Sequence, residues 1–174
     1  MTSQFSRLGP GLGPIVVMGV AGCGKITIGQ LLAGRLGVPY AEADSFHPAA
    51  NIKKLREGLA LTDQDRQPWL AAIADHMRRD SRLVMSCSAL KRKYRDILRQ
   101  AAPRTWFVHL VIGQEAALAR VATRPGHFMP PSLVPSQFAD LEPLGDETGL
   151  DVDATSPPDK IISTVLDALA ASAW

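Results

Sequence analysis

A four-residue apolar run, Ile15-Val16-Val17-Met18, leads without a break into Gly19-Val20-Ala21-Gly22-Cys23-Gly24-Lys25. Thr27-Ile28-Gly29-Gln30-Leu31-Leu32-Ala33 then opens a helix with an apolar face. Strand, glycine-rich loop and helix in that order are the context that makes a Walker A match meaningful; a glycine turn of no consequence would leave the two flanks unexplained. The glycines let backbone N–H groups turn inward on phosphates, and the helix N-terminus adds partial positive charge. Lys25 would neutralise the β- and γ-phosphates of ATP. The expected nucleotide contacts are Gly19, Ala21, Gly22, Cys23, Gly24, Lys25, Ile26 and Thr27.

One position breaks the motif. Walker A has Ser or Thr after the lysine, where the hydroxyl binds Mg²⁺, and here the residue is Ile26. Isoleucine has no ligand atom, and its branched side chain crowds the metal's hydration shell. Thr27 is no simple replacement, because the next residue of a helix points roughly 100° away. Mg²⁺ usually keeps several waters and few protein ligands. The expectation is therefore weakened metal binding and lowered activity, not inactivity.

Beyond the loop, short apolar runs alternate with helical patterns, the signature of a parallel sheet covered by helices. Strands are expected at 15–19, 38–41, 83–86, 106–112 and 150–153, and helices at 25–36, 49–57, 68–79, 90–101, 114–123, 131–141 and 159–171. The 174 residues suit one domain, 14–174, behind a flexible leader, 1–13, that has no apolar segment of signal-peptide type. A formal charge of +2 is too balanced to argue for nucleic acid or membrane partners, and no stretch reaches the ~20 apolar residues needed to span a bilayer. Two cysteines, Cys23 and Cys87, imply no disulfide framework, and the default compartment is the cytoplasm. Between 124 and 135 the chain is broken by Pro125, Gly126, Pro130, Pro131 and Pro135, which reads as a lid.

In a doubly wound sheet, ligands sit outside the carboxyl ends of the strands. Asp44, in Glu42-Ala43-Asp44-Ser45-Phe46-His47-Pro48, then faces the phosphate loop, as a base for a substrate hydroxyl or a holder of a metal-bound water. Its bland reading is a helix cap, and His47 is equally well structural. In Thr62-Asp63-Gln64-Asp65-Arg66, Asp65 either caps a helix or joins Arg66 in a polyol site. Lys91 and Arg95, four apart, suit an anionic group such as a carboxylate, or form part of a solvated basic face. Arg120 and Arg124 enter the lid, to close over transferring phosphates or to offset a helix dipole.

These motifs together resemble the small gluconokinases, kin in fold to shikimate and adenylate kinases. The resemblance runs from about residue 15 to 162 through GVAGCGK, DSFHPAANIKK, LTDQDRQPWL, CSALKRKYRD, RPGHF and SQFADLEPLGDE. It implies a three-layer α/β P-loop fold with a five-stranded parallel sheet in the order 2-3-1-4-5 and a mobile lid. It implies ATP- and Mg²⁺-dependent phosphorylation of D-gluconate to 6-phosphogluconate, and a homodimer. Lys25, Asp44, Arg120 and Arg124 would be catalytic, with Asp44 the base or the metal organiser. Asp44, His47, Asp65, Arg66, Lys91, Arg95, His127 and Gln137 would line the sugar-acid pocket. Strand order 2-3-1 would also bring Cys23 towards Cys87 as a redox-sensitive pair. A kinase for another hydroxy acid, such as shikimate, is one alternative; Ile26, which departs from the family pattern too, leaves open another, an impaired nucleotide-binding protein.

Overall fold

Five strands, all parallel, form the centre of the computed structural model, which describes residues 11–124 and 129–172. β1 (Ile15–Met18) lies in the middle, between β3 (Val84–Ser86) and β4 (Trp106–Val111). β2 (Tyr40–Glu42) flanks β3, and β5 (Gly149–Asp153) flanks β4. The order is 2-3-1-4-5, as expected. Val16 stands opposite Met85 on one side and Phe107 on the other.

The sequence of β1 explains its place. Alternate residues of a strand face opposite sides, and here both sides are apolar. Ile15 and Val17 pack into a core closed by α1 (Lys25–Leu36), α5 (Gln114–Ala122) and α7 (Pro158–Ala171). Val16 and Met18 pack into a second core beneath α3 (Asp63–Arg79) and α4 (Arg92–Ala101). Cys23 belongs to the first core and Cys87 to the second, so the sheet separates the two thiols. Burial pushes the Cys87 thiol up to about 12, which keeps it protonated and unreactive. The redox pairing raised by the strand order therefore finds no support.

Helix α1 has the expected bounds, and it stops at Gly37, whose left-handed backbone (φ 62°) lets its N–H bond Ala33 O. Helix α3 starts five residues before its expected position. Thr62 Oγ1 accepts from Asp65 N at 3.1 Å and Asp65 Oδ2 accepts from Thr62 N at 2.9 Å, a reciprocal capping box. Pro68, expected to open this helix, sits in its second turn at the cost of one backbone hydrogen bond.

α2 (Ala49–Arg56) follows the bounds expected, one residue shorter. The helix expected at 131–141 is instead a short 3-10 turn, Pro131–Leu133, followed by α6 (Val134–Asp140). Pro135 is tolerated in the first turn of α6, where its missing N–H has no partner to lose. Of the stretch expected as a leader, residues 11–13 are described, and two of them pack on the domain. Leu12 is buried in the first core, and Gly13 packs so closely on Arg104 that a Cβ there would lie 2.4 Å from its carbonyl oxygen.

Candidate active site

The loop between β1 and α1 depends on backbone that only glycine adopts comfortably. Gly19 has φ 142°, and a Cβ there would meet Cys23 Sγ at 2.8 Å. Gly22 has φ 83°, and a Cβ there would lie 2.7 Å from Ala117 O. A side chain at either position would bring strain and a clash together. The loop is fastened to the end of β3, where Gly19 N donates to Ser88 O at 3.3 Å and Cys87 N to Val17 O at 3.0 Å. Lys25 Nζ folds back over the loop and donates to Val20 O at 2.9 Å.

A cleft of about 180 Å³ opens at the carboxyl ends of β1, β2 and β3. Ala21, Gly22, Gly24, Lys25, Ile26 and Thr27 form one side. Asp44, His47, Arg66 and Trp69 form another, with Ser86 at the end of β3, Ser88 just past it, Arg124 beyond α5 and Gln137 of α6. Asp44 rides on a 3-10 turn, Ala43–Phe46, held by the Trp69 indole, whose Nε1–H donates to Ala43 O at 2.7 Å. His47 stacks on the same indole, with ring centroids 4.4 Å apart. Burial pulls the His47 pKa down, partly opposed by the charge of Asp44, so the imidazole is neutral at neutral pH. Gln137 Oε1 accepts from Ala21 N at 2.6 Å and so ties α6 to the phosphate loop.

Beside Asp44 lies a cationic end. Arg66 donates from Nη1 to Tyr94 Oη at 2.9 Å and from Nη2 to Asp140 Oδ2 at 3.3 Å. Lys91 contacts Asp140 Oδ1 and Asp63 Oδ1, each at 3.3 Å, and Lys93 and Tyr94 also donate to Asp63. Those bonds, Lys93 first, hold the Asp63 carboxyl well below its ordinary range.

Six of the residues named from the sequence lie elsewhere. Gly19 and Cys23 shape the phosphate loop from behind, outside the cleft lining. Asp65 completes the capping box and pairs with Lys54 at 2.7 Å; those hydrogen bonds, Lys54's first, bring its carboxyl down to about 2. The structure thus places Asp65 in the helix cap and outside the cleft lining. Lys91 stands behind Arg66, engaged by its two carboxylates. Arg120 donates to Gly22 O at 3.4 Å and to Ala154 O at 3.1 Å, which braces the loop instead of facing the cleft.

Arg95 is the clearest correction. It is fully buried, with Nη1 on the Ala89 and Leu90 carbonyls and Nε and Nη2 on Glu147. Burial pushes the Glu147 pKa up, but the bonds from Arg95 and Arg99 outweigh it and leave the carboxyl ionised. Arg95 thus serves the fold and lies outside the cleft lining. His127 lies outside the described residues.

Sequence reasoning missed several members. Glu42 is the last residue of β2, two residues before Asp44 on the turn that follows. Burial and then Asp44 push its pKa up, while Arg124 and Lys25 pull it down, so all four groups share one electrostatic neighbourhood. Trp69 and Asp140 gave no signal, because their roles exist only once α3 and α6 meet the sheet.

A shikimate kinase family model matches residues 21–137. The gluconokinase of Gluconobacter oxydans is 42% identical over 95% of this chain and 96% of its own. The chain belongs to the gluconokinase family. A crystal structure of a gluconokinase from Sinorhizobium meliloti superposes with a TM-score of 0.84 at 45% identity, covering 91% of this chain and 92% of that one. Shikimate kinase from Aquifex aeolicus shares the fold at 19% identity, with a TM-score of 0.64 over 90% of this chain and 95% of its own.

A kinase of this family implies a nucleotide and a divalent cation beside its phosphates, so the donors in the cleft matter. Among the described residues no three His, Cys, Asp or Glu side chains converge on a metal position. The cleft does offer the Asp44 carboxylate and the hydroxyls of Thr27, Ser86 and Ser88. That set fits an ion held mostly by water and nucleotide phosphates, which is how Mg²⁺ is usually bound. Ile26 lines the same cleft and contributes no donor.

Proposed function

We propose that this gluconokinase family member transfers the γ-phosphoryl group of ATP to the terminal hydroxyl of D-gluconate, giving 6-phospho-D-gluconate and ADP. One observation carries the reading: a single cleft joins the phosphate loop, a carboxylate at Asp44 and an arginine at Arg66. Gluconate needs those three things, a phosphoryl donor at one end, an acceptor for the hydroxyl proton, and a cation for its own carboxylate.

The loop amides and Lys25 hold the phosphates, and Lys25 exchanges Val20 O for a phosphate oxygen. Asp44 orients the terminal hydroxyl and takes its proton as the oxygen–phosphorus bond forms and the bond from phosphorus to the β–γ bridging oxygen breaks. Arg124 stabilises the charge that develops on the transferring group, while Arg120 stiffens the loop through Gly22 O. Arg66 anchors the sugar acid's carboxylate, and His47, neutral and flat on Trp69, offers a hydroxyl partner. Mg²⁺, when bound, supplies charge neutralisation between the phosphates, with Asp44 and the hydroxyls of Thr27, Ser86 and Ser88 as its nearest donors. The segment from Arg124 to Pro135 acts as the lid. The working enzyme is a cytoplasmic homodimer, a reading that rests on the resemblance; light scattering behind a sizing column tests the dimer.

A coupled ADP assay across gluconate, shikimate and related hydroxy acids tests the acceptor. Gluconate should give the highest kcat/KM by at least about tenfold, the discrimination expected when paired polar groups would be left unmatched. Equal or better turnover of shikimate would defeat the assignment.

Ile26 favours a second reading, a nucleotide binder with impaired turnover. Restoring the hydroxyl decides between them. Ile26→Ser should raise kcat by about tenfold, equal to about 1.4 kcal/mol of barrier, or lower the Mg²⁺ concentration for half-maximal rate by a similar factor. Measured side by side with the natural chain, unchanged values for both would show that position 26 plays no part in metal binding.

A further inference from the structure

α6 touches both halves of the cleft. Its Gln137 holds the Ala21 amide at 2.6 Å, and three residues on, its Asp140 lies between Arg66 and Lys91 with one oxygen on each at 3.3 Å. On a helix, residues three apart share a face. The placement of Asp140 is that of a bound carboxylate, one oxygen on a guanidinium and the other on an ammonium. Its bonds are long, and its side chain is about a quarter exposed, so little holds it there.

Charge counting leads the same way. Around Tyr94 stand three cations, Arg66, Lys91 and Lys93, and two carboxylates, Asp63 and Asp140. One positive charge is left over with Asp140 in place, so a carboxylate that takes the place of Asp140 keeps the cluster's balance. Asp63 is fixed by Lys91, Lys93 and the Tyr94 hydroxyl, whereas Asp140 has only its two long contacts in this cluster. Asp140 is the carboxylate that can leave.

α6 is held at both ends: at its start Val134 is buried in the first core, with Phe138 packed against that core. Just past its end, Glu142 N donates to Leu90 O at 2.8 Å and Glu142 Oε2 accepts from Arg92 N at 2.6 Å, a firm anchor. Leu141, the cap of α6, has extended backbone between that anchor and the helix. Between these two holds, a rotation confined to the last turn of α6 can release Asp140 and Gln137 together.

We propose that Asp140 is an internal carboxylate which the acceptor's carboxylate displaces from Arg66, and that this exchange shifts the last turn of α6 so that Gln137 yields the Ala21 amide to the nucleotide. The proposal rests on the reading of Arg66 as the sugar-acid anchor. It makes Asp140 a residue that sets acceptor affinity, and α6 the link by which the acid sensed at one end of the cleft prepares the phosphate loop at the other. The coupling is reciprocal: gluconate tightens ATP by the factor by which ATP tightens gluconate.

Calorimetric titration of the full chain with gluconate, with and without a non-hydrolysable ATP analogue, tests it. In the natural chain, each ligand should tighten the other about five- to tenfold. Asp140→Asn should tighten gluconate alone about three- to tenfold, the scale of one part-exposed ion pair, and bring the mutual factor close to one. Asp140→Glu should behave as the natural chain does. Asp140→Ser, titrated beside the Asn variant, removes the same charge with a smaller side chain and must move in the same direction. Arg66→Gln is the control for the underlying reading and should weaken gluconate at least about a hundredfold, as when a buried charged partner is lost. If Arg66→Gln leaves gluconate affinity intact, the anchor reading fails. If it weakens binding while Asp140→Asn fails to tighten it, the anchor stands and the displacement proposal is overturned. Tightening with an undiminished mutual factor overturns it as well, because α6 would then not be the link.

Discussion

Replacing Asp44 by asparagine should lower kcat by about 10²- to 10⁴-fold, the range for removing a positioned general base, with the KM for ATP nearly unchanged. The substitution keeps the size of the side chain and its place on the Ala43–Phe46 turn, which Trp69 fixes through the Ala43 carbonyl. What it removes is the ability to take a proton as phosphorus bonds to the acceptor oxygen. Binding of nucleotide depends on the loop amides and Lys25 and should survive. Steady-state kinetics with both substrates varied checks this. A fall of less than about threefold would show that Asp44 takes no proton in the reaction and that another group, Glu42 first among them, does.

A change far from the chemistry should cost nearly as much in another currency, folding stability. Glu147→Ala leaves Arg95 buried without its counter-ion, and breaking a buried pair by removing one partner costs about 3–5 kcal/mol. For a chain of this size that lowers Tm by about 10 °C or more. Three carbonyls, those of Ala89, Leu90 and Pro143, still receive hydrogen bonds from Arg95, so the loss should fall within that range and not above it. Urea unfolding with an unchanged m-value measures it. The paired change Arg95→Met with Glu147→Leu should recover much of the loss, since apolar replacements of similar volume often match a buried ion pair. A loss below about 1 kcal/mol for Glu147→Ala alone would mean that water reaches the site.

The reach of the Arg95–Glu147 pair extends to the cleft. Arg95 Nη1 holds the carbonyl of Ala89, which sits in left-handed backbone at φ 42° although it carries a Cβ. Ala89 follows Ser88, whose carbonyl receives the Gly19 amide. A strained residue of this kind persists only where its surroundings over-determine it. The salt bridge is one of those surroundings.

How far a linear reading could go is clear from individual residues. The unbroken run Ile15-Val16-Val17-Met18 and the glycines after it announced a central strand and a phosphate loop, because both constraints are local. Asp44, Arg66, Lys25 and Gln137, named from motifs, all line the cleft. Arg95 was misjudged because periodicity places it on the same helix face as Lys91 and says nothing of Glu147, 52 residues away, which draws it inward. Asp65 was open to two readings from the start, and the capping box with Thr62 chose the local one. Asp140 could not be found at all. Its meaning comes from Arg66 and Lys91, contributed by elements far apart in the chain.

The sheet order has a consequence for how the chain comes to be folded. β1 is made early, yet both its neighbours are late: Ile15 pairs with Val84 and with Trp106. At about 5–20 residues per second of synthesis, the strand waits on the order of five to twenty seconds for its second partner. Until then an apolar Ile-Val-Val-Met edge stands with unpaired amides, the type of edge that recruits other chains. Pairing across such long separations is also intrinsically slow. The phosphate loop, first of the functional elements to be translated, is therefore among the last to acquire its shape, and yield of active protein on overexpression should depend more on the rate of synthesis than on the stability of the finished fold.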